Sequence, residues 1–488
     1  MPKQQVFELH PTGWESDPAD EFFKLSTLDY CVGQVYTNYA LFFKLTDAEK
    51  PNAVSVLKRG LEITLSQCRK LCGRVEPHPD GSGLCFRKKR DDTVQFHVQW
   101  LDGPDDAGKY PSFDELERRH FVSQALGRMD TWCVPPMTYG EKPEASPASN
   151  PKASAFKATF IPGGLVFMMH HHHYANDIMG WAGELHQLAE NCAAVWKSPD
   201  NPALPPWDPA CLDLSRVTKP DPPEDQRVDG PVPPLRHADH REGQWLLFHL
   251  PKSKTAELKR LASPEDGSYW ISSYDAYMAY IWRVLSKHRA ALFQPDLEQN
   301  LLWGEAVDMR RRFHDPPVPA RTQGNVVYVA LSVQSPVPQL TAKEVISEAP
   351  LSKLAWYIRQ LTNGVTQEAV DAALTAIAPI KDKTTLFLRT DSFPPMSNFT
   401  TEWRDTRPCE ADFGFATPQA MRFPFDTVTA GLTVVYPVRT NGAPAGDDEG
   451  NEFSIGFEKE IAQALIDDPE WNRYFEFRGV DAEEGTAS

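Results

Sequence analysis

The stretch Phe167-Met168-Met169-His170-His171-His172-His173-Tyr174-Ala175-Asn176-Asp177-Ile178-Met179-Gly180 joins two different periodicities. Upstream, Ala155 to Ile161 and Leu165 to His171 are β-rich runs joined by Pro162-Gly163-Gly164, which predicts a hairpin. Downstream, Ile178, Trp181, Ala182, Leu185, Leu188, Ala189, Cys192 and Trp196 recur every three or four residues, the period of an amphipathic helix. A histidine run therefore leaves a strand, crosses a short turn and meets Asp177 where a helix begins. A carboxylate at that point favours the free amides of the first helical turn.

Adjacent strand residues point to opposite faces, so at most two of the four histidines can share a site. No carboxylate or cysteine with metal-ligand spacing stands beside them, and no metal is expected. The plain structural reading is a His-rich strand end followed by a capped helix. Spacing separates one histidine from the rest: only His173 has an aspartate four residues on, Asp177, with Gly180 following.

The chain has 488 residues, enough for two ordinary domains or one large one, and 41% hydrophobic residues, enough for a substantial core. Its net charge of −17 argues against nucleic acid or an anionic membrane as partner. No signal-peptide pattern opens the sequence and no apolar run approaches membrane-spanning length, so a soluble cytoplasmic protein, expected as a monomer, is the simplest reading. The eight cysteines are scattered, and Cys68 and Cys72 are expected as buried thiols.

Leu25-Ser26-Thr27-Leu28-Asp29 reads as a turn before a strand from Val35 to Leu45, and Ala53 to Gly73 as a helix leading into Arg74-Val75. Residues 198–240 are rich in Pro and Asp and suit a surface crossover. This divides the chain into an N-terminal lobe (1–200), a crossover (201–240) and a C-terminal lobe (241–488). In the second lobe, Ser272 and Ser273 open a strong helix after a shorter one from Lys252 to Leu261, and Asp308-Met309-Arg310-Arg311-Arg312 precedes Gly324-Asn325. Thr385 to Arg389 reads as a strand, and residues 481–488 as a disordered tail.

His173-x-x-x-Asp177 with Gly180 resembles the signature of the BAHD acyltransferases and their fungal relatives, the trichothecene O-acetyltransferase-like enzymes. The similarity extends along the chain in order: Leu-Ser-x-Leu-Asp at 25–29, Cys72-Gly73-Arg74, the Val307-Asp308-x-Arg310-x-Arg312 string, Gly324-Asn325, and Asp412-Phe413-Gly414-Phe415-Ala416. The last departs from the family's Asp-Phe-Gly-Trp-Gly at two positions, which suits a fungal branch.

This resemblance implies an α/β fold of two similar lobes with chloramphenicol acetyltransferase-like topology, mixed sheets with flanking helices, and an active site in an interface tunnel. It also implies acyl transfer from acyl-coenzyme A, acetyl-coenzyme A by default, to a small alcohol or amine of specialised metabolism. His173 would be the general base and Asp177 its orienting partner, paired with Arg310 or Arg312. Trp403 N–H or the Thr401 hydroxyl would stabilise the oxyanion. Asp412 and Gly414 would be structural. Because the coenzyme is a polyanion and the chain is acidic, local groups must bind it: Ser272, Ser273, Lys254 and Arg289 are the candidates. Two other readings share the His-x-x-x-Asp core: a stand-alone condensation-type enzyme fed by a carrier protein, and an inactive binding protein on the same scaffold.

Overall fold

The hairpin forms as expected. In the computed structural model, which describes residues 3–439 and 448–485, every residue of the two hairpin strands, Ser154–Ile161 and Gly164–His172, is buried. Pairing of Ile161 with Gly164 leaves Pro162-Gly163 as a two-residue connection, and Gly163 takes a φ of +77° that a side chain resists.

In chain order the strands of the first half are β1 (Lys3–Leu9), β2 (Asp20–Lys24), β3 (Tyr36–Lys44), β4 (Arg74–Pro77), β5 (Leu84–Lys89), β6 (Val94–Trp100), β7 (Ser154–Ile161) and β8 (Gly164–His172). Those of the second half are β9 (Gly243–Leu250), β10 (Trp303–Asp308), β11 (Val327–Leu331), β12 (Asn398–Glu402), β13 (Ala420–Arg422), β14 (Leu432–Tyr436), β15 (Asn451–Glu458) and β16 (Glu476–Glu483). They make two large mixed sheets, β1-β6-β7-β8-β3-β13 and β11-β10-β12-β14-β15-β9-β16, and a small one, β2-β5-β4. Helices Lys50–Gln67 and Ile178–Lys197 flank the first large sheet, and Ser273–Phe293 packs in the second core.

The crossover does not separate the lobes cleanly. β13 lies on the C-terminal side of 201–240, yet it pairs antiparallel with β3 at the edge of the first sheet. The Asp412–Phe415 segment goes with it. Phe413 packs on Phe43 at 5.1 Å, and a Cβ on Gly414 (φ +84°) would come within 2.5 Å of the Trp196 Cβ. Gly414 is thus required by close approach as well as by backbone conformation. Asp412 accepts the Gly414 N–H at 2.8 Å and closes the turn.

Three local expectations are corrected. The Ala53–Gly73 helix stops at Gln67; Cys68 leaves helical backbone (φ −128°, ψ 71°) and a 3-10 turn carries Arg69–Cys72. Thr385–Arg389 forms no strand: Lys383–Leu386 is a 3-10 turn, and Leu388 N–H donates only to the Cys31 carbonyl before the chain runs along a cavity wall. The tail pairs with β9 through Glu483, burying Asp481, so 481–483 are ordered; 486–488 lie outside the described residues. Among the described residues no helix is long and apolar enough to cross a membrane.

Candidate active site

β8 ends at His172, and the chain turns through His173–Asn176 into the Ile178–Lys197 helix. The four imidazoles end in four different settings. His170 Nε2 accepts the Val134 N–H at 3.1 Å, and burial drives its pKa down to about 3. His171 pairs with buried Glu184 at 2.9 Å. His172 Nε2 donates to the Ala145 carbonyl (2.9 Å) while Nδ1 accepts the Tyr174 N–H (3.1 Å), and burial puts its pKa at about 4.

His173 Nδ1 lies 3.2 Å from the Asn176 carbonyl. A carbonyl only accepts, so Nδ1 carries the hydrogen and Nε2 holds the lone pair. Nε2 has no hydrogen-bond partner among the described residues, and His173 lines a cavity of 780 Å³ between the two large sheets. Burial holds the His173 pKa below the ordinary histidine value. The ring is therefore neutral at pH 7 and can take up a proton.

Asp177 fixes the turn that carries His173. Oδ1 accepts the Gly180 N–H (2.7 Å), capping the helix, and Arg310 Nη2 (2.9 Å); Oδ2 accepts Arg310 Nη1 (3.1 Å) and the Val326 N–H (2.7 Å). Of the two arginines offered by the sequence, Arg310 is the partner; Arg312 donates to the Thr362 and Val365 carbonyls, each at 2.7 Å. Burial opposes the Arg310 charge, but Asp177 and Asp308 outweigh it and raise its pKa. Gly180 lets the 321–325 loop in: a Cβ there would be 2.5 Å from the Gly324 carbonyl. The Asp-Gly pair and the distant Gly-Asn pair are two sides of one contact.

The opposite wall comes from β12, which places Thr401 and then Trp403 in the same cavity. Trp403 Nε1–H donates to Thr401 Oγ at 2.9 Å. The indole hydrogen is thus engaged, and the Thr401 hydroxyl hydrogen is the one left for a ligand. Trp403 is held by Phe423 and Tyr436, with ring centroids at 5.5 and 5.6 Å.

Residues 151–456 match the model of the transferase family, and 35–192 match the trichothecene 3-O-acetyltransferase-like N-terminal domain. The chain belongs to the transferase family. Acetyltransferase FGR3 of Gibberella zeae is 56% identical over 99% of this chain and 95% of that protein. Trichothecene 3-O-acetyltransferase TRI101 of Fusarium sporotrichioides is 24% identical over 91% of this chain and 94% of its own length. The fold matches F. graminearum TRI101 complexed with coenzyme A and T-2 mycotoxin at a TM-score of 0.76 (20% identity, 94% of this chain, 100% of that one). It matches vinorine synthase at 0.62 (17% identity, 94% and 95%). The resemblance to fungal BAHD-like enzymes is borne out, and this member of the transferase family is an acyltransferase.

The four residues expected to bind the coenzyme lie away from His173 in the fold. Ser272, Ser273, Lys254 and Arg289 do not line the main cavity. Ser272 caps its helix: its Oγ accepts the Asp275 N–H at 3.2 Å and bonds Arg359 at 2.7 Å, so the capping alternative describes it. Arg289 is fully buried and donates to Glu458 (2.8 Å), Asn398 (3.2 Å) and the Gly456 carbonyl (3.2 Å). A guanidinium so enclosed cannot meet a phosphate, which corrects its assignment. Lys254 is partly exposed beside Glu257, at 3.3 Å.

Sequence reasoning missed several cavity groups: Gln34, Tyr139, Lys142 and Arg389. They stand in irregular segments, and only the fold brings them together. Lys142 pairs with Asp426, and Arg389 Nε with Asp391 at 2.5 Å.

Proposed function

We propose that this transferase acetylates a hydroxyl group of a small secondary metabolite, using acetyl-coenzyme A as donor. The observation that carries the reading is the pairing, in one cavity, of the free Nε2 of His173 from the first lobe with the Thr401 hydroxyl, its oxygen held by Trp403, from the second. The names of the relatives support it: an acetyltransferase at 56% identity, and a trichothecene acetyltransferase seen with coenzyme A and T-2 mycotoxin or deoxynivalenol. Apolar walls such as Val35, Ile178, Phe399 and Leu432 suit a largely apolar acceptor.

The acceptor hydroxyl gives its proton to His173 Nε2 as its oxygen attacks the thioester carbonyl. The resulting oxyanion accepts the Thr401 O–H, whose oxygen is held by Trp403. Collapse breaks the carbon–sulfur bond, and the departing thiolate takes the proton back from His173. No side chain is acylated. Asp177 and Arg310 position the base without touching substrate, and Arg312, Asp412 and Gly414 hold the scaffold. The crossover at 201–240 joins the lobes, which share the cavity. For the coenzyme, Ser273 and Lys254 remain the C-terminal-lobe contacts. The same reading makes the protein a cytoplasmic monomer without nucleic acid or membrane partners, and a net charge of −17 supports it.

The test is a panel of small alcohols, deoxynivalenol among them, and amines, with acetyl-coenzyme A, following thiol release and acetylated product. Turnover of an alcohol is expected. Turnover confined to amines, or to a carrier-protein thioester donor, would contradict the proposal.

A further inference from the structure

The turn that carries His173 has every one of its carbonyls held by a side chain. The His173 and Tyr174 carbonyls accept from Asn325 Nδ2, at 2.9 and 3.2 Å. The Ala175 carbonyl accepts from Lys70 Nζ at 3.0 Å, and the Asn176 carbonyl accepts from His173 Nδ1 itself at 3.2 Å. Behind Asn325 stands Asp29, whose Oδ1 accepts from the same Nδ2 at 2.8 Å and whose Oδ2 accepts the Ser26 N–H at 2.6 Å. Asn325, Asp29 and Lys70 are 0%, 2% and 8% exposed. They come from three remote places: the Gly-Asn loop, the Leu-Ser-x-Leu-Asp turn, and the 3-10 turn that follows the helix ending at Gln67.

A buried ammonium group is a demanding way to satisfy a carbonyl, because its desolvation must be offset by a nearby charge. Here the charge is Asp29, which interacts with Lys70 electrostatically. The arrangement makes sense if the carbonyls must stay where they are. The Asn176 carbonyl decides which His173 nitrogen carries hydrogen, and its place depends on the three carbonyls before it.

We infer that Asn325 and Lys70, backed by Asp29, are positioning residues for the base: they lock the His173–Asn176 turn so that Nδ1 is hydrogen-bonded and Nε2 faces substrate with its lone pair. This rests on the proposed role of His173. Releasing Asn325 lets the turn relax, so the ring loses its preferred tautomer and the hydrogen bond that supports its protonated form. The titratable groups acting on the ring are Asp177 and His172, and the charged groups sharing its cavity include Asp308, Glu402, Glu141, Lys142, Arg389 and Asp391; neither variant below replaces any of them.

The experiment measures kcat, KM for acetyl-coenzyme A and the kcat–pH profile, per mole of folded protein, with the alcohol turned over fastest in the panel. Asn325→Ala is expected to lower kcat about 100-fold, the scale of a base displaced by about 1 Å, with the coenzyme KM within about twofold. Its acid limb should move to lower pH, because the lost Nδ1 bond had favoured the protonated ring. Of the turn's four carbonyls Lys70→Met frees only that of Ala175, while also removing the charge beside Asp29, and it should lower kcat about 10-fold. Unchanged kcat in both variants, or an unmoved acid limb in Asn325→Ala, overturns the inference and makes these residues plain scaffold. If Asn325→Ala does not fold, Lys70→Met decides alone, and kcat within about twofold of the parent overturns it. Failure of the underlying reading is distinct: it appears as a His173→Ala variant, with Asn325 and Lys70 intact, retaining full kcat.

Discussion

His173 and Arg289 are both polar side chains that the sequence sets apart as functional, one just after β8 and the other on the Ser273–Phe293 helix, and folding treats them in opposite ways. Arg289 is enclosed with its donors engaged by Glu458, Asn398 and backbone carbonyls. His173 has one nitrogen engaged and the other open to the cavity. The same contrast holds inside the histidine run, where His172 uses both nitrogens on the backbone. A buried polar group with all its bonds made is scaffold; one left with an unused atom in a cavity is available for chemistry.

The largest effect that would break this contrast is at the base. His173→Ala should lower kcat by about two to four orders of magnitude without lowering the melting temperature, whereas His172→Ala should lower the melting temperature and leave kcat per folded molecule largely intact. Initial rates and thermal melts decide it, and the reverse pattern would show that the wrong histidine was chosen.

Asp177→Asn comes next, because it leaves Arg310 buried with its main partner weakened. It should cost about 3 kcal/mol in denaturant unfolding and reduce activity as well. Arg289→Met should destabilise the C-terminal lobe by a similar amount, since Glu458 is left unpaired, yet leave the coenzyme KM unchanged. A raised coenzyme KM at unaltered stability would restore Arg289 as a ligand contact. A smaller effect comes from acid. His170 and His172 are held neutral with pKa values of about 3 and 4, while an unfolded histidine titrates near 6.5. The unfolded chain binds more protons between these values, so their contribution is present above about pH 6.5 and is lost as pH falls toward 4. Melting temperature should decline across that window, less steeply in His172→Gln.

Much of this was legible in sequence because local pattern and tertiary role coincide there. The hairpin, the Asp177 cap and the His-x-x-x-Asp spacing are each set within a few residues. The arginine alternatives narrowed to Arg310 only through a contact spanning 133 residues. Ser272 and Arg289 were not legible as scaffold because a capping serine and a phosphate-binding serine look alike in sequence, as do a buried arginine and an exposed one. Thr385–Arg389 reads as a strand from its composition, but no described strand pairs with it, and Phe387, Leu388 and Arg389 line the cavity instead. The return of β13 to the first sheet has no local signal, since edge pairing is chosen by the assembled fold.

The central claim is that His173, neutral through its Nε2, accepts the acceptor's proton. The most direct test is the pH profile of kcat in the parent enzyme and in His173→Ala. Burial lowers the His173 pKa, so in the parent kcat should rise with pH through a midpoint below the ordinary histidine value of about 6.5 and then level off. The residual activity of His173→Ala should lack that limb. A limb that persists unchanged in His173→Ala would place the base elsewhere and contradict the account.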